Sequence, residues 1–196
     1  MSKNAAAPKR IARKKPDRRA TRTRNRLGDA LILLIQEKPF DQITVQEVLD
    51  RAGVGRSTFY THYRDKDDLF LSDLDEFLEH FASLLSKRKE KSDRVAPVKE
   101  FLEHVKDGRQ IYDSLLASGR LHDFFDLAQG HFARGIERRM KESPRWAGMK
   151  SDTIATLAQA HAGAFLALLR LWIHRGMKTA PEAVDKTFHA IVWGQR

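Results

Sequence analysis

The chain has no cysteine. That excludes a disulfide framework and any thiolate metal site, and it agrees with a reducing compartment. Only six prolines and eleven glycines interrupt 196 residues, so long elements are allowed. No run of about 18 or more apolar residues occurs, and no membrane-spanning helix is expected. Charges at the N-terminus have no apolar stretch behind them, unlike a secretory signal. Glycine-rich phosphate loops, nucleophile elbows and H-E-x-x-H strings are all missing. No two of the eight histidines lie four residues apart on one helix. Asp73, Asp75 and Glu76 read as a solvated helix face. These absences argue against an enzyme, a bound metal and a cofactor.

What is present is charge, and its location is informative. The net charge is +10. Residues 1–26 hold eleven of the 36 Lys and Arg and one of the 26 Asp and Glu, leaving 25 bases and 25 acids elsewhere. The whole excess therefore sits in one basic arm attached to a neutral body. Such an arm binds phosphates by releasing counterions, regardless of base sequence. Residues 1–20 also carry Ala5-Ala6-Ala7-Pro8 and Pro16 without a sustained apolar period, so they read as a disordered arm.

The stretch Thr44 to Tyr63, TVQEVLDRAGVGRSTFYTHY, has the pattern of a helix-turn-helix. Thr44 with Glu47 forms a capping box, which starts a helix. Val48 and Leu49 supply its buried side. Gly53 ends it, where a left-handed backbone costs least. A second short helix then carries Arg56 to His62. Phe59 and Tyr63, four apart, both face inward. Ser57, Tyr60 and Thr61 lie on the opposite side, and Arg56 opens the helix, at the end that enters the major groove in this motif.

Elsewhere the 3.6-residue period dominates. Helices are expected over Thr21 to Glu37, Asp65 to about Glu90, Val95 to Lys106, around Ile111 to Leu116, Arg120 to about Lys141, Asp152 to about Arg175, and from Pro181 onward. Within the Asp152 helix the stripe is Ile154, Leu157, His161, Phe165, Leu168 and Trp172. No strand-like alternation survives. The fold class is all-α, with about nine helices.

The motif segment resembles the DNA-binding domain of the tetracycline-repressor (TetR) family of bacterial regulators. The matching residues are Gly53-Val54, Ser57-Thr58-Phe59-Tyr60, His62-Tyr63, Lys66 and Leu69, within Arg22 to Leu71. Trp172 to Glu182, W-I-H-R-G-M-K-T-A-P-E, resembles C-terminal domains of some members. The resemblance implies a basic arm over 1–20, a helix-turn-helix DNA-binding domain over 21–67, and a helical ligand-binding and dimerisation domain over 68–196. It implies base contacts from Gln46, Arg56, Ser57 and Thr61, since arginine pairs with guanine and glutamine with adenine in bidentate fashion. Thr58, Tyr60, His62 and Lys66 match phosphate-contacting positions, which set register and not sequence. The position of Arg56 varies widely in the family, so the base it reads is left open.

For the body the resemblance implies a pocket for an unidentified small-molecule effector. Inner-face candidates are Phe101, His104, Tyr112, Phe125, Phe132, His161, Phe165 and Trp172, although for each of them plain core packing is the favoured reading, and His161 is the best polar candidate. It also implies a homodimer through the last two helices. Ala160, Gly163, Ala164 and Ala167 are small residues at three- and four-residue spacing, and Phe188 lies on the final helix. The expected protein is a cytoplasmic, nucleoid-associated regulator that binds a pseudo-palindromic operator on double-stranded DNA, with no membrane partner, and a ligand-released repressor. The alternatives are an architectural DNA-coating protein driven by the basic arm, and an enzyme in the body carrying a DNA-binding head.

Overall fold

Helical periodicity governs the architecture throughout. The computed structural model describes residues 18–194, and among them only helices, turns and loops occur. Ten α-helices follow in order: α1 Arg18–Glu37, α2 Val45–Ala52, α3 Arg56–Tyr60, α4 Lys66–Ala82, α5 Leu84–Lys87, α6 Val98–Asp107, α7 Arg109–Ala117, α8 Leu121–Glu142, α9 Ser151–His174 and α10 Pro181–Trp193. Single 3-10 turns lie at Phe40–Gln42 and Pro144–Trp146. Most of the basic arm falls outside the described residues. Its last part, from Arg18, is already helical.

Ten helices replace the expected nine because the long helix after Asp65 breaks early. Asp65 caps α4 as expected, its Oδ1 accepting the Asp68 N–H at 2.8 Å. At the other end Ser83 turns its hydroxyl back onto the carbonyl of Glu79 at 2.6 Å. That bond competes with continued helix. The Ala82 carbonyl leans onto α8 at Gly135, where a Cβ would lie 2.2 Å from the oxygen. Only glycine lets the two helices approach so closely.

The body core is a run of phenylalanine rings, one from each of four helices. Phe101 of α6 meets Phe132 of α8 edge-on at 5.1 Å, and Phe132 meets Phe165 of α9 at 4.7 Å. Phe165 then meets Phe188 of α10 at 5.7 Å. Edge-to-face pairs of this kind add to simple area burial. By length and composition α9 is long and apolar enough to cross a membrane, although it has no unbroken apolar run of that length. Alanine and leucine raise its hydropathy, and its inner face packs along α8 and α10. Its buried stripe is Ile154, Ala158, Ala162, Phe165, Leu166, Leu169 and Trp172. Leu157, His161 and Leu168, expected in that stripe, lie at its half-buried margin.

The charged loop before α6 is held by ion pairs. Arg94 reaches Glu100 at 2.5 Å and Asp185 of α10 at 3.1 Å. Arg139 of α8 donates to the carbonyls of Ser92 and Arg94. The Val95 N–H donates to His189 Nε2 of α10 at 3.2 Å. The loop is thereby stitched to two distant helices, α8 and α10.

Head and body meet at Phe40. Its ring is fully buried, with the Lys66 ammonium 4.6 Å and the Arg120 guanidinium 4.7 Å from its centre. Its N–H donates to Ser118 Oγ at 3.1 Å. Arg120 also pairs with Asp67 and Asp123. The body thus grips the head at the link between α1 and α2.

Candidate nucleic-acid interface

The helix-turn-helix forms from local chemistry. Thr44 and Glu47 make the full capping box: the Glu47 N–H donates to Thr44 Oγ1 at 3.3 Å, and the Thr44 N–H donates to Glu47 Oε2 at 2.9 Å. A bond from Lys38, then those from Thr44, lower the Glu47 carboxyl to about 2. Gly53 closes α2 with φ 59°, in the left-handed region. Arg26 of α1 donates to the Gly53 carbonyl at 3.2 Å. Arg51 of α2 makes a two-pronged bond to Glu37 of α1, at 2.8 and 2.9 Å. These contacts fix α2 and the turn against α1.

Helix α3 is five residues long, shorter than the expected Arg56 to His62. Its end is set by Thr61, whose hydroxyl donates to the Thr58 carbonyl at 2.6 Å. The N–H groups of His62 and Tyr63 both turn onto the Phe59 carbonyl. Phe59 is fully buried and Tyr63 nearly so, their ring centres 5.7 Å apart. With those two inside, Arg56, Ser57, Thr58, Tyr60 and Thr61 are left exposed on one surface. The Tyr60 ring is 51% exposed and rests edge-on against Phe59. Arg56 has no carboxylate or carbonyl partner among the described residues.

Two expected contacts look different in the fold. Gln46 is exposed on α2, but its amide donates to Asp50 Oδ1 at 2.8 Å. Lys66 is turned inward. Its ammonium donates to the carbonyls of Phe40 and Ile43, each at 2.8 Å, and to that of Asp41 at 3.3 Å. Those three bonds use all the donors of an ammonium. Lys66 therefore braces the 3-10 turn, its ammonium on carbonyls where a phosphate contact was expected. His62 is half-buried beside Tyr63.

One exposed base was missed. The Arg64 side chain is 86% exposed at the turn between α3 and α4, and pairs with Asp68 at 3.3 Å. A base directly after His62-Tyr63 was the available signal. The exposed side of α3 and this turn offer a guanidinium, hydroxyls and a phenol together. That set suits a surface of phosphates and base edges.

The family described as "Bacterial regulatory proteins, tetR family" matches residues 29–72. A TetR transcriptional regulator from Streptococcus agalactiae 2603V is similar over 89% of this chain and 96% of its own, at 27% identity and a TM-score of 0.61. Residues 29–72 thus match the DNA-binding domain of the TetR family, and the chain shares the fold of TetR regulators. A putative TetR-family regulator from Syntrophomonas wolfei shares the fold over 90% of this chain and 97% of its own, at 20% identity and TM-score 0.63. So does the dihydroxyacetone kinase operon activator DhaS, over 88% and 95%, at 17% identity and TM-score 0.62. No curated protein sequence matches the chain.

The residues expected to line an effector pocket do not converge. Phe101 and Phe165 are fully buried members of the phenylalanine core, where the favoured core-packing reading puts them. Trp172 is likewise buried, its indole N–H donating to the Thr179 carbonyl at 2.8 Å. His104 and Tyr112 line a cavity of about 300 Å³ against α1 and α4. Phe125 instead borders an open groove with Gly163, Ala167 and Arg170, beneath the Arg170 guanidinium at 4.4 Å. His161 stands apart on α9. Its Nε2 is buried without a partner, and burial pushes the ring below its usual pKa.

The small-residue stripe of α9 does face outward. Ala160 and Ala167 are exposed, and Gly163 and Ala164 half-buried. Leu171 on α9 and Ile191 on α10 are also exposed. Phe188 corrects the expected set: it is 0% exposed, pointing inward against Phe165.

Proposed function

We propose that this chain is a sequence-specific, homodimeric transcriptional regulator whose helical body takes a small-molecule effector and whose effector-bound state releases DNA, as a repressor requires. The arm spans 1–20, the DNA-binding domain 21–67 and the body 68–196. The observation that carries the reading is the exposed side of α3, whose polar side chains stand free while Phe59 and Tyr63 anchor the helix from behind. Arg56, Ser57 and Thr61 read bases, with Gln46 after it leaves Asp50. Thr58, Tyr60, His62 and Arg64 hold phosphates. Two heads of a dimer would read two half-sites of a pseudo-palindrome. The exposed stripe of α9 with Ile191 of α10 supports pairing of two copies there. An effector acts only through a difference in affinity between the DNA-bound and released states.

Selection of binding sites from random duplex DNA by the full chain, at physiological salt, tests this reading. An inverted repeat is expected. Recovery of no consensus would favour the architectural reading, which the eleven bases within residues 1–26 support.

A further inference from the structure

The cavity of about 300 Å³ lies where head meets body, and its size is at the lower end for a small-ligand site. Ile32 of α1, Phe70 and Phe77 of α4, Ile111 and Tyr112 of α7 and Phe124 of α8 form an apolar wall. Two titratable groups interrupt that wall, Asp73 of α4 and His104 of α6, with the Tyr112 phenol beside them. Asp73 corrects the sequence reading of a solvated acidic face. Its Oδ2 is buried and has no hydrogen-bond partner. It presses on the backbone of α1 at Gly28, where a Cβ would lie 2.2 Å from it.

A buried acceptor without a donor is costly, and a ligand that brings one relieves the cost. The surrounding charge decides which donor fits. Asp29 and Arg24 face Asp73 from α1, Glu76 from α4, and Tyr63 from the turn before α4. Arg24 is already paired with Glu76 at 3.4 Å. Across the cavity, burial holds His104 below the usual imidazole range and pushes the Tyr112 phenol up, so both are neutral at pH 8. Burial, then Glu76 and Asp29, raise the Asp73 carboxyl to about 7. At pH 8 the pocket therefore carries a net negative charge. A carboxylate ligand would meet repulsion there, and a neutral one would forgo a charge-assisted bond.

We propose that this cavity binds a small aromatic or aliphatic amine, its ammonium on Asp73 and its hydrocarbon among Phe70, Phe77 and Phe124. The inference rests on the effector reading given above and assigns that effector a chemical class and a place. The place suits a switch. A ligand here touches α1 of the head and α4, α7 and α8 together, so it bears directly on how the head sits on the body. Below pH 7 Asp73 takes up a proton and loses its attraction for the ammonium, so amine affinity falls as pH drops. An alkylamine stays protonated through that range, as lysine does.

Titration calorimetry on the full chain at pH 8, with 2-phenylethylamine, 2-phenylethanol and phenylacetate, tests the site. The amine is expected to bind about tenfold or more tightly than the alcohol, and phenylacetate most weakly. Asp73→Asn, which keeps the shape, should abolish the amine advantage. Glu103→Gln, which removes an exposed charge on α6 outside the cavity wall, should retain it. A wild-type titration at pH 6 should show the amine weakened and the alcohol unchanged, which keeps the test open if Asp73→Asn fails to fold. An amine no better than the alcohol, an advantage intact in Asp73→Asn, or one lost equally in Glu103→Gln overturns the proposal. Operator affinity measured in the same samples separates the two readings. Amine binding through Asp73 that leaves operator affinity unmoved supports the site and overturns the effector role. Operator release by another compound, with no amine preference in the cavity, overturns the site and leaves the effector role standing.

Discussion

In the head, Phe59 and Tyr63 anchor a five-residue helix, and polar bonds at Thr44, Gly53 and Lys66 set the rest. In the body, four long helices each contribute a ring to one phenylalanine core, and polar bonds gather at one loop around Arg94. The head keeps its large side chains few and leaves a polar face free. The body spends nearly all of its aromatic residues on packing. An exposed polar side chain in the head is therefore informative about function, whereas an aromatic residue on an inner face of the body is not. At the joint with the head, beside Asp73, the body leaves a small cavity.

The largest effects should come from paired truncations, one in each region. Phe59→Ala and Phe165→Ala each remove a fully buried ring, and each should cost about 3–5 kcal/mol. Thermal unfolding followed with operator binding distinguishes them. Phe59→Ala should abolish DNA binding while most helical signal survives; Phe165→Ala should lower the main unfolding transition. If both variants lose all helix together, head and body form one cooperative unit and the contrast between them fails.

A second pair uses glycine. Gly135→Ala places a methyl against the Ala82 carbonyl in the body, and should cost about 1–3 kcal/mol in denaturant unfolding. Gly55 in the head has open space around it and a φ of −68°. Gly55→Ala should be neutral or stabilise by about 0.4–1 kcal/mol. Equal loss from both would mean that the tight α4–α8 crossing is not what holds the body.

Within the head, Arg56→Ala should reduce discrimination at particular operator positions by about 1–3 kcal/mol, with stability unchanged. Lys66→Ala should do the reverse. It leaves three carbonyls without their donor, which lowers the unfolding midpoint by about 1–3 kcal/mol in free-energy terms. Binding-site selection and chemical denaturation on both variants check the division. A Lys66→Ala protein of normal stability that binds all DNA weakly would restore a phosphate role.

The last comparison concerns pH at the joint. Burial raises the Asp73 carboxyl to about 7 from an ordinary value of 3.8. Between those values the unfolded chain has released the proton and the folded chain still holds it. Stability from this group is thus present at low pH and falls as pH rises towards 7. Melting temperatures of wild type and Asp73→Asn, compared from pH 4.5 to 8, should diverge in that sense. Parallel curves would show that Asp73 is solvated after all.

Much of the head was legible because its signals are local. A capping box, a left-handed glycine and an i, i+4 aromatic pair act within one or two turns, so Thr44, Glu47, Gly53, Phe59 and Tyr63 determine the motif wherever the rest of the chain goes. The same holds for the all-α class, since the 3.6-residue period needs no knowledge of partners, and for Pro181 at the start of α10. Other features depend on which helices meet. Lys66 turned inward because the body holds Phe40 beneath it. Helix α4 ended at Ala82 because its last carbonyl fits Gly135 some fifty residues later. Phe188 faces inward because α10 closes over Phe165, and Asp73 is buried because α1 crosses α4 at a glycine. Periodicity names the face of a helix, but only the packing of one helix on another decides which part of that face is sealed, and which part is left open to a ligand or to DNA.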